Sequence, residues 1–210
     1  MGSHYPEDQQ PSEEQVLEAL RDLVEALDDG DISYVLMGGV GAVTVARPRI
    51  TDDLDIFVVP EDARRVLDTL GAAGFDTEIT DPTWLFKGFK YGVLVDVIFR
   101  SSGDVYLDPE MLERAEVREF KGVPVPVIAP EDLLVIKAVA SREDSPHHWY
   151  DALAIVARGE LDWKYLTSRA LKCGPRRVLS LLLYAESNDM AVPTTAIRDL
   201  VDEIYPAGRP

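Results

Sequence analysis

Apolar residues recur at helical spacing near the start of the chain and then form short continuous runs. The capping-box pattern Ser12-Glu13-Glu14-Gln15 opens the first segment, and Gly30 closes it, which predicts an amphipathic helix. Short apolar runs, bounded by glycine, proline or acidic residues, predict strands over 33–37, 54–59, 75–79, 84–89 and 93–99, with 75–79 at a sheet edge. Small-residue or amphipathic segments between these runs predict helices over 39–46, 60–70 and 109–115.

The pattern changes at about residue 129. Before that point, Lys121-Gly122 predicts a hairpin, and Pro124 and Pro126 favour an edge position for its second arm. After that point, helices are expected over 130–141, 147–158, 162–172, 175–187 and 193–205. We therefore expect an α/β (α+β) fold in three parts. These are a disordered tail over 1–11, a mixed-sheet core over 12–128, and a helical region over 129–210.

Charge and composition narrow the function classes. The formal net charge is -17, and residues 1–31 hold ten acidic residues and one arginine, so the acid is concentrated in the first helix. An acidic chain is a poor general binder of nucleic acid, although a local basic patch could still bind RNA. No apolar run reaches the roughly 20 residues of a membrane helix, and the start lacks the pattern of a signal peptide. With a single cysteine, Cys173, a cytoplasmic setting without membrane association is expected.

Three aspartates lie within or beside predicted strands. Asp53 and Asp55 are two residues apart, so a strand places both carboxylates on one face. Asp96 lies in a later apolar run. Carboxylates in such places are costly to desolvate unless they pair with a cation. The simple alternative is pairing with Arg47 or Arg49, but three acids together favour a divalent-metal site.

The order of these motifs resembles the nucleotidyltransferase (DNA polymerase β-like) superfamily, and within it the minimal nucleotidyltransferases of the AbiEii toxin type. The motifs are Met37-Gly38-Gly39, then Thr51-Asp52-Asp53-Leu54-Asp55-Ile56, then Val95-Asp96-Val97. The segment from Pro130 to Lys137, followed by Ser141-Arg142, also resembles the helix after the sheet in that group. The resemblance covers about residues 13–158 and implies a nucleotidyltransferase core.

The resemblance implies roles for six residues. Gly38 and Gly39 would hold the triphosphate of an NTP through backbone N–H groups, and Lys137 would contact the nucleotide. Asp53, Asp55 and Asp96 would be the catalytic residues and the ligands of Mg²⁺ or Mn²⁺. Their carboxylates are expected to converge beside the two glycines. An acceptor hydroxyl on tRNA, a protein or a small molecule would be modified, and an antitoxin protein is an expected partner.

One local feature departs from the family pattern. There, a Lys-Asp pair follows the arginine closely, whereas here six residues, 145–150, separate Asp144 from Asp151. Haloacid dehalogenase-like phosphatases and metal-dependent glycosyltransferases also use Asp-x-Asp, but the preceding Gly-Gly strand and the chain length disfavour them. A non-catalytic nucleotide-binding or scaffold protein of the same fold is the main alternative.

Other conspicuous residues are expected to be structural. Adjacent His147 and His148 should diverge on a helix and take a surface or interdomain role. The tryptophans, including Trp84, are expected in the core or at interfaces. Three basic residues near the end of the chain share one helical stripe, namely Arg169, Lys172 and Arg176. We expect this stripe to be a solvated face, which is favoured over an acceptor-binding patch.

Overall fold

The computed structural model describes residues 10–39 and 53–206. Within these ranges the chain forms a seven-stranded mixed sheet, whose order is β3-β4-β5-β2-β1-β7-β6. The strands are β1 (Tyr34–Leu36), β2 (Asp53–Val58), β3 (Asp76–Asp81), β4 (Leu85–Lys90), β5 (Val93–Ile98), β6 (Glu116–Phe120) and β7 (Val123–Val127). The pairs β2–β5 and β1–β7 are parallel, and the other four neighbouring pairs are antiparallel.

Eight α-helices are present in the described part of the chain. They are α1 (Glu13–Asp29), α2 (Ala63–Ala72), α3 (Pro109–Arg114), α4 (Pro130–Ala140), α5 (His147–Arg158), α6 (Trp163–Cys173), α7 (Pro175–Ser187) and α8 (Thr194–Ile204). A 3₁₀ turn, Pro60–Asp62, precedes α2. The predicted helix over 39–46 falls outside the described residues except at Gly39. None of the described helices is long and apolar enough to cross a bilayer.

The first helix begins as its sequence predicts. The Ser12 hydroxyl accepts a hydrogen bond from the Gln15 N–H, and the Gln15 side chain accepts one from the Ser12 N–H. These two bonds satisfy two of the backbone donors that a helix start leaves without partners. The buried side of α1 consists of Val16, Ala19, Leu20, Leu23 and Leu27. Packing of that apolar side against the sheet leaves the acidic side in solvent.

The hairpin of β6 and β7 differs from its prediction in one respect. The arms pair around Lys121-Gly122 as expected, but β7 lies between β1 and β6, so β6 is the edge strand. The missing proline N–H groups are tolerated because β1 is short. Its pairing with β7 is confined to Leu36 opposite Val127, beyond Pro124 and Pro126. Pro124 and Pro126 therefore lie in a part of β7 that is not paired with β1, as on an edge strand, although β7 is inside the sheet.

The two faces of the sheet have different neighbours. Helices α1 and α2 contact each other, and both pack on the face that carries Ile56 and Val95. A Cβ atom added to Gly88 in β4 would lie 3.4 Å from Leu70 of α2, so Gly88 points to this face as well. Because side chains alternate along a strand, the aspartates of β2 and β5 point to the opposite face, where α4 lies.

A buried ion network attaches α6 to α4. The Arg169 side chain is only 2% exposed, and its Nε lies 2.8 Å from Oδ1 of Asp132, which is fully buried. The guanidinium also binds Asp108, and the Tyr165 hydroxyl donates to Asp132. The predicted solvated stripe is therefore wrong at Arg169, although Lys172 is exposed. Helical spacing alone does not show that α6 directs the Arg169 side chain towards α4.

Candidate active site

The third aspartate lies next to the Asp-x-Asp motif across the sheet. Asp55 of β2 and Asp96 of β5 are paired in parallel register, and Asp96 is opposite Lys87 of β4. Side chains in register on neighbouring strands point to the same face. Lys87, Asp96 and Asp55 thus form one row across the sheet, and Asp53 lies on the same face two residues before Asp55.

The turn after β1 is built around the Asp55 carboxylate. Gly38 has a φ of +59°, in the left-handed region that favours glycine. A Cβ atom at Gly38 would lie 1.7 Å from Oδ2 of Asp55, so no side chain fits there. The Gly39 N–H donates to the same oxygen at 3.4 Å, and the Met37 N–H donates to the Asp55 carbonyl oxygen at 2.9 Å. The glycine pair therefore brings the backbone directly against this acid.

A lysine from α4 approaches the acids from the helical part of the chain. Lys137 is 4% exposed, and its Nζ lies 3.2 Å from Oδ2 of Asp151 in α5. It is also 3.5 Å from Nδ1 of His148. Lys137 and Asp151 thus form a buried ion pair between α4 and α5.

Burial and like charges change the titration of Asp55. Burial is the largest cause that raises its pKa, and the carboxylates of Asp53 and Asp96 raise it further, to about 6. Lys137 and the Gly39 N–H act in the opposite direction. A carboxyl group with this raised pKa gains most from a cation that neutralises its charge. The electrostatics therefore favour a positively charged ligand beside Asp55.

A cavity of about 690 Å³ opens beside these residues. Five of the six residues implicated by the sequence are in its wall, namely Gly38, Gly39, Asp53, Asp55 and Lys137. Asp96 is not among the described lining residues, and its Oδ1 lies 3.1 Å from Lys87 Nζ. The structure brings these five residues together at one cavity, and Asp96 lies next to Asp55 in the same cross-strand row.

The acids suit a hard divalent cation. No three His, Cys, Asp or Glu side chains in the described ranges are arranged to hold a metal ion together. Magnesium does not require such a set, since it is usually held by one or two carboxylates with water and substrate phosphates completing the shell. Asp53 and Asp55, on one face at the cavity wall, fit that donor set.

Several residues of the cavity were not anticipated. His147 and His148 both line it, and their ring centroids lie 4.1 Å apart, so the expectation that the rings diverge is wrong. His147 is the first residue of α5, where no preceding helical turn restricts its side chain. Trp84 also lines the cavity and is 38% exposed, in contrast to the expected core or interface position. Only the tertiary contacts place these residues at the cavity, because neither a pair of adjacent histidines nor a single tryptophan indicates a binding site by itself.

Residues 7–187 match the family described as uncharacterised nucleotidyltransferase. This match spans most of the chain. The chain belongs to this nucleotidyltransferase family. The superfamily resemblance inferred from the Gly-Gly, Asp-x-Asp and third-aspartate motifs is thereby confirmed. The narrower assignment to the AbiEii toxin type stays a prediction. A search of curated proteins finds no match.

Several solved structures of other proteins are similar to this chain. An antigenic nucleotidyltransferase-like protein from Paracoccidioides brasiliensis has a TM-score of 0.54 at 15% identity, covering 90% of this chain and 94% of its own. The antibiotic-resistance factor ANT(2'')-Ia has a TM-score of 0.50 at 16% identity, covering 85% and 95%. The nucleotidyltransferase toxin MenT4 from Mycobacterium tuberculosis H37Rv has a TM-score of 0.42 at 16% identity, covering 88% and 70%. The first two support the mixed α/β architecture of a nucleotidyltransferase.

Proposed function

We propose that this nucleotidyltransferase is a Mg²⁺-dependent enzyme that moves a nucleoside monophosphate from an NTP to an acceptor hydroxyl. The observation that carries the proposal is the cavity wall that combines Gly38-Gly39, Asp53, Asp55 and Lys137. Each member matches one requirement of a triphosphate. Glycine permits a close backbone approach, the carboxylates anchor a divalent cation, and the buried lysine supplies a fixed positive charge.

The carboxylates, the glycines and the lysine would each contact a different part of the bound nucleotide and its metal. Asp53 and Asp55 would hold Mg²⁺, or Mn²⁺ in its place, and the cation would neutralise phosphate charge. Gly38 and Gly39 would place backbone N–H groups beside the phosphates. The Gly39 N–H is directed at Asp55 in this structure, which couples the phosphate-binding turn to the metal-binding carboxylate. Lys137, held in place by Asp151, would contact the nucleotide.

The reaction is a substitution at the α-phosphate. The acceptor oxygen forms a bond to the α-phosphorus, and the bond from that phosphorus to the bridging oxygen of the β-phosphate breaks. Pyrophosphate leaves with the electron pair, and the proton of the acceptor hydroxyl passes to a base, for which Asp96 is the candidate. Positioning and charge stabilisation contribute most of the rate enhancement in such transfers.

The acceptor is a small molecule, a protein hydroxyl or tRNA. The similar structure of ANT(2'')-Ia is that of an antibiotic-resistance factor, which supports testing small molecules first. An AbiEii-like toxin would instead modify a macromolecule and be countered by an antitoxin protein. Histidines, arginines and Trp84 around the cavity provide polar and aromatic surface for either kind of acceptor.

Isothermal titration of the four NTPs in the presence of Mg²⁺ tests nucleotide binding. We expect at least one NTP to bind the wild-type protein, and Asp53→Ala/Asp55→Ala to abolish that binding. Asp76→Ala is the matched control, since it removes an exposed carboxylate from β3 at the far edge of the sheet. Absence of NTP binding, or binding unchanged in the double variant, would contradict the proposal.

Transfer of label distinguishes the enzyme from a non-catalytic scaffold. The protein is incubated with NTPs labelled at the α-phosphate together with RNA, protein and metabolite fractions of a lysate. We expect label in one fraction, released pyrophosphate, and loss of both in Asp55→Asn. Nucleotide binding without transfer to any fraction would favour the scaffold alternative.

A further inference from the structure

Trp84 presents an aromatic ring at the cavity that holds the acids. It is 38% exposed and lines the same wall as Asp53 and Asp55. Its backbone is held on both sides, since its N–H donates to the Asp81 carbonyl at 3.2 Å and its carbonyl accepts from the Phe99 N–H at 3.1 Å. Because tryptophan has only two side-chain torsions, a ring anchored in this way is ordered by a ligand at low entropic cost.

The turn that carries Trp84 is organised by the Asp81 carboxylate. Oδ1 of Asp81 accepts hydrogen bonds from the Thr83 N–H at 2.8 Å and from the Thr83 hydroxyl at 2.6 Å. These bonds are the largest cause that lowers the pKa of Asp81, and the Trp84 side chain lowers it further. One ionised carboxylate thus fixes the turn and interacts with the side chain next to the cavity.

The neighbours of the ring form a wall of mixed character. Ile98, Arg100 and Ser101 line the cavity together with Trp84. The Arg100 guanidinium is engaged by Asp104, with Nη1 3.7 Å from Oδ1. An aromatic and an aliphatic side chain with a few polar groups beside them are typical of small-molecule sites, and the cavity volume of about 690 Å³ lies in the range of such sites.

The strand order places Trp84 and the glycine turn on opposite sides of the acids. Gly38 and Gly39 follow β1, whereas Trp84 immediately precedes β4. Strands β5 and β2, which carry Asp96 and the Asp-x-Asp motif, lie between β4 and β1. Three strand spacings of about 4.8 Å, or roughly 14 Å in all, separate β4 from β1.

The reaction requires the attacking and leaving oxygens to lie in line, on opposite sides of the α-phosphorus. With the β- and γ-phosphates at the glycine turn and the cation at Asp53 and Asp55, pyrophosphate leaves towards β1. The acceptor oxygen then approaches from the side of β5 and β4. The candidate base Asp96 and the Trp84 ring both lie on that side of the Asp-x-Asp motif.

We propose that Trp84 is a specificity-determining residue of the acceptor subsite, where its indole ring stacks on an aromatic ring of a small-molecule acceptor. This inference rests on the proposed function and narrows its acceptor to hydroxyl compounds that carry such a ring. Aromatic rings in offset or edge-to-face contact gain affinity beyond the area that they bury, so a compound with the same hydroxyls and no ring binds more weakly.

Fluorine NMR of the full chain labelled with 5-fluorotryptophan tests the subsite without relying on activity. The chain has three tryptophans, and the resonance lost in Trp84→Phe belongs to Trp84. Phenyl β-glucoside and methyl β-glucoside are the probes, because they share the same sugar hydroxyls and differ in the aromatic ring. The protein is saturated with Mg²⁺ and the α,β-methylene analogue of the NTP that binds. We then expect phenyl β-glucoside to shift the Trp84 resonance and methyl β-glucoside to leave it unchanged.

The nucleotide analogue alone should shift the Trp84 resonance less than phenyl β-glucoside does, because the ring lies on the acceptor side. Trp163 is the internal control, since it begins α6 and is not among the described residues that line the cavity. Its resonance should respond to neither glucoside.

Transfer kinetics give the expected magnitude. Trp84→Leu should raise the KM for phenyl β-glucoside about tenfold, the effect of one apolar contact in a pocket, and leave kcat and the Kd of the NTP nearly unchanged. Trp84→Phe keeps an aromatic ring and should recover most of the lost affinity. Tyr106→Leu is the matched control, because Tyr106 is 43% exposed and is not among the described lining residues.

Three results would each overturn the proposal. These are no shift of the Trp84 resonance with phenyl β-glucoside, an equal shift with both glucosides, or a larger shift with the nucleotide analogue, which would place the ring against the nucleobase. If Trp84→Leu fails to fold, or neither glucoside accepts label, the resonance shifts of the labelled wild type decide alone. Failure of the proposed function is seen separately, as absence of NTP binding in the calorimetric titration.

Discussion

A Cβ atom at Gly38 would lie 1.7 Å from Oδ2 of Asp55. The backbone turn after β1 and the Asp-x-Asp motif of β2 therefore occupy their positions only because residue 38 has no side chain. The same contact couples the two motifs physically, since the N–H of the next residue donates to that carboxylate oxygen. Any change at Gly38 is transmitted to the acid that faces the cavity.

Gly38→Ala should reduce nucleotide transfer by about 10²-fold, because a displacement of roughly 1 Å in a reacting group has that effect. The initial rate of label transfer measures it. Gly92→Ala is the control, since Gly92 also has positive φ, +79°, but a Cβ there would meet no atom within 4 Å. It shares the backbone strain without touching an acid. Equal loss of transfer in both variants would show that strain alone is responsible.

Lys137→Met should destabilise the fold as well as weaken NTP binding. The Lys137–Asp151 pair is buried, with side chains 5% and 11% exposed, so replacing the lysine removes a cation from a buried carboxylate. Breaking such a pair costs about 3–5 kcal/mol in the free energy of unfolding, measured by urea denaturation. Lys137→Met/Asp151→Leu removes both charges and should recover most of the stability.

The double variant separates structure from ligand binding. If Lys137 contacts the nucleotide, NTP affinity should stay low in Lys137→Met/Asp151→Leu although stability returns. Recovery of full affinity would show that the lysine only supports the fold. Arg64→Met is the control for charge removal, since the Arg64–Asp68 pair is 65% and 67% exposed and should cost less than about 1 kcal/mol.

Arg169→Met should be among the most destabilising substitutions in the helical region. The guanidinium is 2% exposed and neutralises Asp132, which is fully buried, as well as binding Asp108. Its loss should lower the free energy of unfolding by about 3–5 kcal/mol. Lys172→Met, one turn later and exposed, should change it by less than about 0.5 kcal/mol. Similar small effects for both would contradict a structural role for Arg169.

Asp55→Asn should stabilise the metal-free protein increasingly as pH rises. The folded-state pKa of Asp55 is raised to about 6, above the ordinary value, so the folded protein binds more protons than the unfolded chain between these values. The contribution of this carboxyl to stability is therefore lost as pH rises through about 6. Asparagine does not titrate, so its advantage should be smallest below the ordinary pKa of 3.8, grow as pH rises to about 6, and be largest at pH 7.5.

Thermal melting across this pH range measures the difference in Tm between Asp55→Asn and the wild type. We expect a gain of a few degrees at pH 7.5 that is about halved at pH 5 and diminishes further towards the ordinary pKa of 3.8. Mg²⁺ should raise the Tm of the wild type at pH 7.5 and leave Asp55→Asn nearly unchanged. A difference in Tm that is constant with pH would contradict the raised pKa. Asp76→Asn, at an exposed position, is the control.

The sequence by itself predicted most of the described helices and strands, the superfamily, and two acids on one strand face. Apolar periodicity, Ser12 and Gly30 predict α1 because capping and amphipathic spacing are local properties. The Asp-x-Asp spacing likewise fixes Asp53 and Asp55 on one face, since side chains alternate along any strand. The edge strand predicted over 75–79 corresponds to β3 (Asp76–Asp81), and the five helices predicted after residue 129 correspond to α4 to α8.

Tertiary structure decided which groups neutralise the charges. Asp151 of α5 pairs with Lys137 of α4, and Lys87 meets Asp96 through strand register. The Arg169 side chain points towards α4 and not into solvent. No local rule predicts these partners, because each depends on how elements distant in sequence pack. The free energy of a buried charge depends on its neighbours and its exposure, and both are set only when the helices and the sheet come together.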